Sequence, residues 1–336
     1  MRPSVYMSSI VPAAAREILE ESCDLEFYKG DGPSTADEIL SRINDKDGLL
    51  CLVSDRVGRE IMDAGKRLKV ISTASVGFEH IDVAEATKRG IYVGYAPGVL
   101  TDATADLAFA LLLASARRIA EADRYVRAGE WKIAWSPTAF LGASVWGVTL
   151  GLIGFGRIGQ AVARRARGFD MKVLYNDEAR LPPEEERERG VEFRPLEELL
   201  GESDIVSLHV PSTRETFHLM DETRLSLMKK GAILINTARG PVVDEAALFS
   251  ALKAGIIGAA GLDVFEKEPI AMDNPLLALD NVTVVPHIGS ATSESRRRMA
   301  ELGALNILQV LKGETPEAWL NPEVVKVRPL NEVKMI

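Results

Sequence analysis

Cysteine is nearly absent: Cys23 and Cys51 are the only two in 336 residues. Two thiols cannot staple a secreted scaffold, and neither has the neighbours of a metal site. Long hydrophobic runs are missing as well. The longest apolar stretch, Leu107 to Ala114, falls far short of the ~20 residues a membrane span needs. The opening MRPSVYMSSIVPAAAREIL has no unbroken apolar segment of the kind a signal peptide carries. Excess positive charge is lacking too, since the formal net charge is −9. An acidic surface repels phosphate backbones and anionic lipid heads, so neither nucleic acid nor membrane is expected as a partner. An anionic small molecule remains compatible, because a few local arginines can dominate a cleft. These absences together predict a cytoplasmic protein.

What is present is an ordinary globular balance, 46% hydrophobic and 26% charged. At ~100–200 residues per domain, the length predicts two domains. In the first hundred residues the β-branched runs SVYMSS, LEFY, GLLCLVS, LKVISTAS and IYVGYA alternate with the helical patterns AAAREILEE, TADEILSRI, REIMDAG and DVAEATKRG. That alternation indicates parallel β-α units, whose crossovers cover both sheet faces. An Ala- and Leu-rich helix over 103–116 and another over 120–128 come next. The alternation then restarts with VTLGLIG, MKVLYN, DIVSLHV, GAILINT, IIGAAGLDV and VTVVP. A last helix over 294–312 is expected to cross back onto the first unit, with hinges near 98–101 and 288–292 at Pro97-Gly98 and Gly289-Ser290. The charged run Pro182 to Gly190 reads as a solvated surface segment.

The second unit opens with a G-x-G-x-x-G at Gly154, Gly156 and Gly159. Alone the pattern is weak. Here it follows an apolar strand and opens a helix at Arg157 and Ile158, and the next strand ends at Asp177, 18 positions past Gly159. That context marks a dinucleotide site. Gly154 permits the tight turn, Gly156 lets backbone approach a pyrophosphate, and Gly159 lets the helix pack closely. The helix start then offers free N–H groups and a positive dipole end to the diphosphate. Asp177 would bond the ribose hydroxyls and repel a 2′-phosphate, favouring NAD, with NADP as the alternative because Arg180 is near in sequence.

Three further features lie at successive strand ends: Arg239 in INTARGPVVDEAAL, Asp263 and Glu268 in GLDVFEKEP, and His287 in VVPHIGSA. Reducing a 2-keto acid needs a cation for the carboxylate and carbonyl, a proton donor, and a group that keeps the donor protonated. Arg239 suits the first through its planar fork. His287 suits the second, and Glu268 the third, because a carboxylate favours the charged imidazolium. Singly, each residue reads as readily as structural; their joint placement behind a dinucleotide loop favours chemistry. His80, His209 and His218 lack such context and read as structural. No metal site is expected.

With these motifs placed, the chain resembles the D-isomer-specific 2-hydroxyacid dehydrogenase family over nearly its whole length. The resemblance rests on SVGFEHID, LTDATADLAFALLLA, GLIGFGRIGQAVA, NTARGPVVDEAAL, GLDVFEKEP and PHIGSAT in order, and is nearest to its glyoxylate/hydroxypyruvate reductase branch. It implies two doubly wound parallel-sheet domains, with a Rossmann-like cofactor domain over 100–288 inserted into a flavodoxin-like substrate domain formed by 1–99 and 289–336. It also implies a homodimer acting on a small anionic 2-keto or 2-hydroxy acid. Arg239, Glu268 and His287 take the family's catalytic positions, and Asp263 that of the nicotinamide-carboxamide partner. Val76 and Gly77 take that of the substrate-carboxylate loop, and Thr104 a place beside the nicotinamide. The segment 131–141 is a few residues shorter than in the similar reductases, which pass a tryptophan into the partner's site, so Trp135 is not assigned that role. Phosphite-oxidising relatives carry lysine where this chain has Val76, which argues against phosphite. Oxidation of 3-phosphoglycerate is the nearest competing activity, and an NAD(H)-sensing co-repressor is the alternative from another class.

Overall fold

Each short apolar run of the first hundred residues forms a strand of one parallel sheet in the computed structural model, which describes residues 2–30 and 34–336. The strands are β1 (Ser4–Met7), β2 (Asp24–Phe27), β3 (Gly48–Cys51), β4 (Val70–Thr73) and β5 (Tyr92–Gly94). Their order is β2-β1-β3-β4-β5. Val5, Met7, Leu50 and Val70 face one core, while Tyr6, Leu49, Cys51 and Ile71 face the other. Apolar residues on both faces are what a parallel sheet covered by crossover helices requires. The helix Ser293–Leu311 brings Ala300, Ala304, Ile307 and Leu311 into the first of these cores. It starts where the Thr292 side chain accepts the Ser295 N–H, satisfying one of the amides a helix start leaves unpaired. The chain divides into two units, Met1–Leu100 with Ala291–Ile336 and Thr101–Ser290.

The second unit contains β6 (Thr149–Ile153), β7 (Lys172–Asn176), β8 (Val191–Phe193), β9 (Ile205–Leu208), β10 (Ile233–Asn236), β11 (Ala259–Leu262) and β12 (Val282–Val284). All pair in parallel, in the order β12-β11-β10-β9-β6-β7-β8. Side chains alternate with the two-residue period of a strand. Tyr175, Ile205, Ile233 and Ile235 share one core with the helix Thr101–Ala116, whereas Leu174, Val206, Leu208 and Leu234 belong to the core on the opposite face. Strand order reverses between β6 and β9. Ligands of open α/β sheets collect at the carboxyl edge beside such a reversal.

The charged run lies at the surface as expected, except at Glu186, and it is helical. Pro183–Arg189 is a helix, and the short strand β8 follows it. The charges suit the helix dipole: Glu184, Glu185 and Glu186 occupy the first turn, Arg187 and Arg189 the last, and Gly190 ends it at φ 64°. Glu186 is not solvated but buried, accepting from the Tyr175 hydroxyl at 2.9 Å and from Arg180 at 2.9 Å. β8, Val-Glu-Phe, follows the charges directly and lies in no apolar run that would mark it as a strand. Among the described residues, no helix is long and apolar enough to cross a membrane, and no group of three or more His, Cys, Asp or Glu is placed to hold a metal.

The C-terminal segment is tied to β5 through Asn321, which is fully buried. Its Oδ1 accepts the Val93 N–H at 2.9 Å, and its Nδ2 donates to Ile91 O and Thr87 Oγ1, both at 2.9 Å. Asn321→Ala would strand these groups away from water. The variant is expected to lose about 3 kcal/mol of stability, measured by calorimetric unfolding. A loss within experimental error would show that the tail is held by apolar packing alone.

Candidate cofactor and catalytic site

The glycine loop sits directly after β6. Gly154 has φ 92°, and a Cβ there would lie 2.7 Å from the His209 carbonyl after β9, so only glycine suits this turn. A Cβ on Gly159 would lie 2.3 Å from the Gly154 carbonyl, which shows how tightly the helix packs on the turn. Gly156 differs from both. A Cβ there would meet nothing within 4 Å, so the space before it is open. Gly156 precedes the helix Arg157–Ala166, whose start has no side-chain cap and no acidic residue in its first turn. Uncapped amides at Arg157 and Ile158 beside open space fit a pyrophosphate.

Asp177 follows β7 and is half-buried. Its Oδ2 accepts the Phe155 N–H at 2.6 Å and its Oδ1 lies 3.4 Å from the Ala179 N. The carboxylate thus braces the glycine loop as well as standing at the strand end where a ribose would lie. Arg180 is engaged elsewhere, paired with Glu186 and lying over the Phe193 ring with 5.3 Å from guanidinium carbon to ring centroid.

The loop after β10 carries Arg239. Its backbone is set by Asn236, which is buried at the strand end. Asn236 Oδ1 accepts the Ala238 N–H at 3.0 Å, and its Nδ2 donates to the Arg239 carbonyl at 3.0 Å. The next residue, Gly240, approaches the loop after β11 so closely that a Cβ would overlap the Phe265 carbonyl at 1.8 Å. Arg239 is therefore held against the segment that carries Glu268. The Arg239 Nη1 donates to the Ala238 carbonyl at 2.8 Å.

His287 lies beyond β12 in a left-handed conformation, φ 53°, which costs a non-glycine residue energy unless its surroundings impose it. Asp263 imposes it. This buried carboxylate accepts the Ile288 N–H at 2.6 Å and the Gly289 N–H at 2.8 Å, while its carbonyl takes the His287 N–H at 2.9 Å. Burial raises the Asp263 pKa, and the two amides and His287 only partly oppose it. Thr104, from the helix Thr101–Ala116, adds a third hold by donating to the Gly289 carbonyl at 3.1 Å. So placed, His287 Nδ1 lies 2.6 Å from Glu268 Oε2, and Glu268 Oε1 accepts the Phe265 N–H at 3.0 Å. Burial alone would raise the Glu268 pKa, but the His287 contact, the Phe265 amide and the Arg239 charge outweigh it and hold the group below its usual range.

Arg239, Asp263, Glu268, His287 and Thr104 thus share one network at the carboxyl edge of this sheet, with the glycine loop and Asp177 on the same edge. Val76 and Gly77 belong to the other unit, in the turn after β4, where Ser75 Oγ donates to the Gly77 carbonyl at 2.6 Å. The remaining histidines have structural partners. His80 meets Thr73 Oγ1 at 3.1 Å and His218 lies between Asp244 and Glu266. His209 meets Ser207 Oγ at 3.0 Å, and burial pushes it down to about 3, so its ring stays neutral. Asn236 and Gly240 escape sequence reasoning. The only signal for them is their place beside Arg239 in INTARGP.

A family model for the NAD-binding domain of the D-isomer-specific 2-hydroxyacid dehydrogenases matches residues 109–289. A glyoxylate reductase of Thermofilum pendens is 54% identical over 336 residues, covering 100% of this chain and 99% of its own. A Thermus thermophilus crystal structure aligns with TM-score 0.89 at 47% identity, covering 95% of this chain and 100% of its own. The NADPH-dependent glyoxylate/hydroxypyruvate reductase of Sinorhizobium meliloti, solved with NADP and malonate, aligns with TM-score 0.84 at 31% identity, covering 96% and 98%. The doubly wound sheet, its glycine loop and these matches carry one conclusion: the chain belongs to the D-isomer-specific 2-hydroxyacid dehydrogenases, a family of NAD(P)-dependent oxidoreductases.

Proposed function

We propose that the protein is a glyoxylate reductase, reducing glyoxylate and hydroxypyruvate to the 2-hydroxy acids with NADH in preference to NADPH. The observation that carries this reading is the 2.6 Å pair of His287 and Glu268, set beside the Arg239 loop by the close approach of Gly240. Glyoxylate reductase is also what the 54% identical relative is named. The glycine loop, with Arg157 and Ile158, would hold the cofactor diphosphate, Asp177 the adenosine ribose, and Asp263 and Thr104 the nicotinamide end. When bound, the nicotinamide supplies the hydride that adds to the keto carbon. Arg239 neutralises the substrate carboxylate and the oxygen that gains charge. The Val76 and Gly77 amides, in the turn after β4, would offer donors to a substrate carboxylate. With Nδ1 engaged by Glu268, His287 presents Nε2 and gives its proton to the forming alkoxide. Glu268 holds the imidazole ring in orientation through its contact with Nδ1.

The same reading includes a homodimer. In the second unit Trp131, Ile133, Trp135, Leu141 and Trp146 are each more than half exposed, alongside Ile119 and Val126. Trp135, Leu141 and Trp146 line one groove, and exposed apolar side chains grouped in this way suit a second copy of the chain. A cytoplasmic setting suits the two buried free thiols, Cys23 and Cys51.

Absorbance at 340 nm should fall rapidly with NADH and either keto acid. His287→Ala should lower kcat at least ~10²-fold; near-normal turnover would remove His287 from the proton transfer. Asp177→Ala should narrow the ratio of kcat/KM for NADH over NADPH by about tenfold or more, and an unchanged ratio would dissociate Asp177 from cofactor choice. Light scattering should give twice the chain mass, with Trp135→Glu and Trp146→Glu together shifting the protein toward monomer. A wild-type monomer at micromolar concentration would refute the dimer.

A further inference from the structure

The turn after β4 is shaped by a chain of hydrogen bonds that the proposed mechanism leaves unused. Ser75 Oγ lies 2.6 Å from the Gly77 carbonyl, Thr73 Oγ1 lies 2.7 Å from Ser75 Oγ, and His80 Nε2 lies 3.1 Å from Thr73 Oγ1. Cys51 Sγ is 3.9 Å from the same imidazole nitrogen. Thr73 and Ser75 are buried. Proton counting gives the chain a direction. A carbonyl can only accept, so Ser75 spends its one hydroxyl proton on Gly77. Ser75 must then accept from Thr73, and Thr73, with its own proton spent, must accept from His80 Nε2–H. A buried series in which every hydroxyl has a single orientation is rigid.

We infer that Thr73, Ser75 and His80 form a one-way relay that presets the Val76–Gly77 turn to receive a carboxylate, which makes them positioning residues for substrate binding. The inference rests on the reading that this turn takes the substrate carboxylate. Glycine has more backbone freedom to lose than any other residue, and Gly77 sits in the turn. With its carbonyl pinned by Ser75, that freedom is lost on folding rather than on binding. The turn's amides then meet an anion without a further ordering cost, as preorganised donors should. The relay acts on the carboxylate common to 2-keto acids, so it serves recognition of the class and not the choice among side chains.

Titrating the NADH-bound protein with oxalate, a non-reducible dicarboxylate, reads the turn without turnover. Ser75→Ala should weaken oxalate binding and raise the KM for glyoxylate about tenfold, with the NADH Kd unchanged and kcat within about twofold. Thr73→Val should do the same, and Thr73→Ser should restore binding, which keeps the test valid if Ser75→Ala folds poorly. Wild-type oxalate affinity in both Ser75→Ala and Thr73→Val would overturn the relay. Wild-type protein labelled with nitrogen-15 at valine and glycine separates the two levels. If oxalate leaves the Val76 and Gly77 amide signals unmoved, the carboxylate reading fails and the relay with it. If the signals move but the variants bind normally, the relay alone fails.

Discussion

Parallel pairing is the constraint on which the rest of this molecule depends. When all seven strands of a sheet run the same way, every strand leaves by the same edge, and each return must cross a face as a helix or an extended crossover. Residues distant in sequence thereby become neighbours. Arg239, Asp263 and His287 each follow a different strand, yet lie within one hydrogen-bonded network. The same constraint demands apolar side chains on both faces, which explains why the strands read as near-continuous hydrophobic runs.

The functional loops are held mainly by buried polar groups at the strand ends. Asn236 and Asp263 occupy adjacent strand ends, where the Asp263 N–H bonds the Asn236 carbonyl at 2.9 Å. Each turns its side chain onto the backbone of a loop that carries a proposed catalytic residue. A buried amide or carboxylate is costly unless its hydrogen bonds are made, so these loops cannot drift without leaving a polar group unsatisfied. For His287 the same economy supports a left-handed conformation that the residue would not choose alone. The surface ion pairs, such as Arg165 with Asp106, contribute far less to order.

Eleven of the twelve strands were legible as apolar runs, because each sits in a short apolar stretch flanked by turn residues or helical patterns. β8 was not: three residues after a charged segment give no periodicity. Its preceding helix was hidden because Glu and Arg read equally well as any solvent-exposed segment, and only Pro183 at the first helical position and Gly190 at the C-cap distinguish it. The Arg239, Glu268 and His287 positions stood out from residue type and placement. The bonds holding them did not. Asp263 meets residues 25 and 26 positions away, Thr104 reaches Gly289 across 185, and Gly240 matters through a steric limit that no pattern encodes.

The division of the chain also bears on how it is made. Residues 101–290 form one uninterrupted stretch, but the unit containing Met1–Leu100 also includes Ala291–Ile336. Its core is closed by Ala304, Ile307 and Leu311, which leave the ribosome after the whole of the other unit. During synthesis the first five strands must therefore wait, with one apolar face only partly covered by Ala15 and Leu19 of the early helix Ala13–Ser22, while the later unit folds. The last part of the chain to begin folding would then be the part that completes the first.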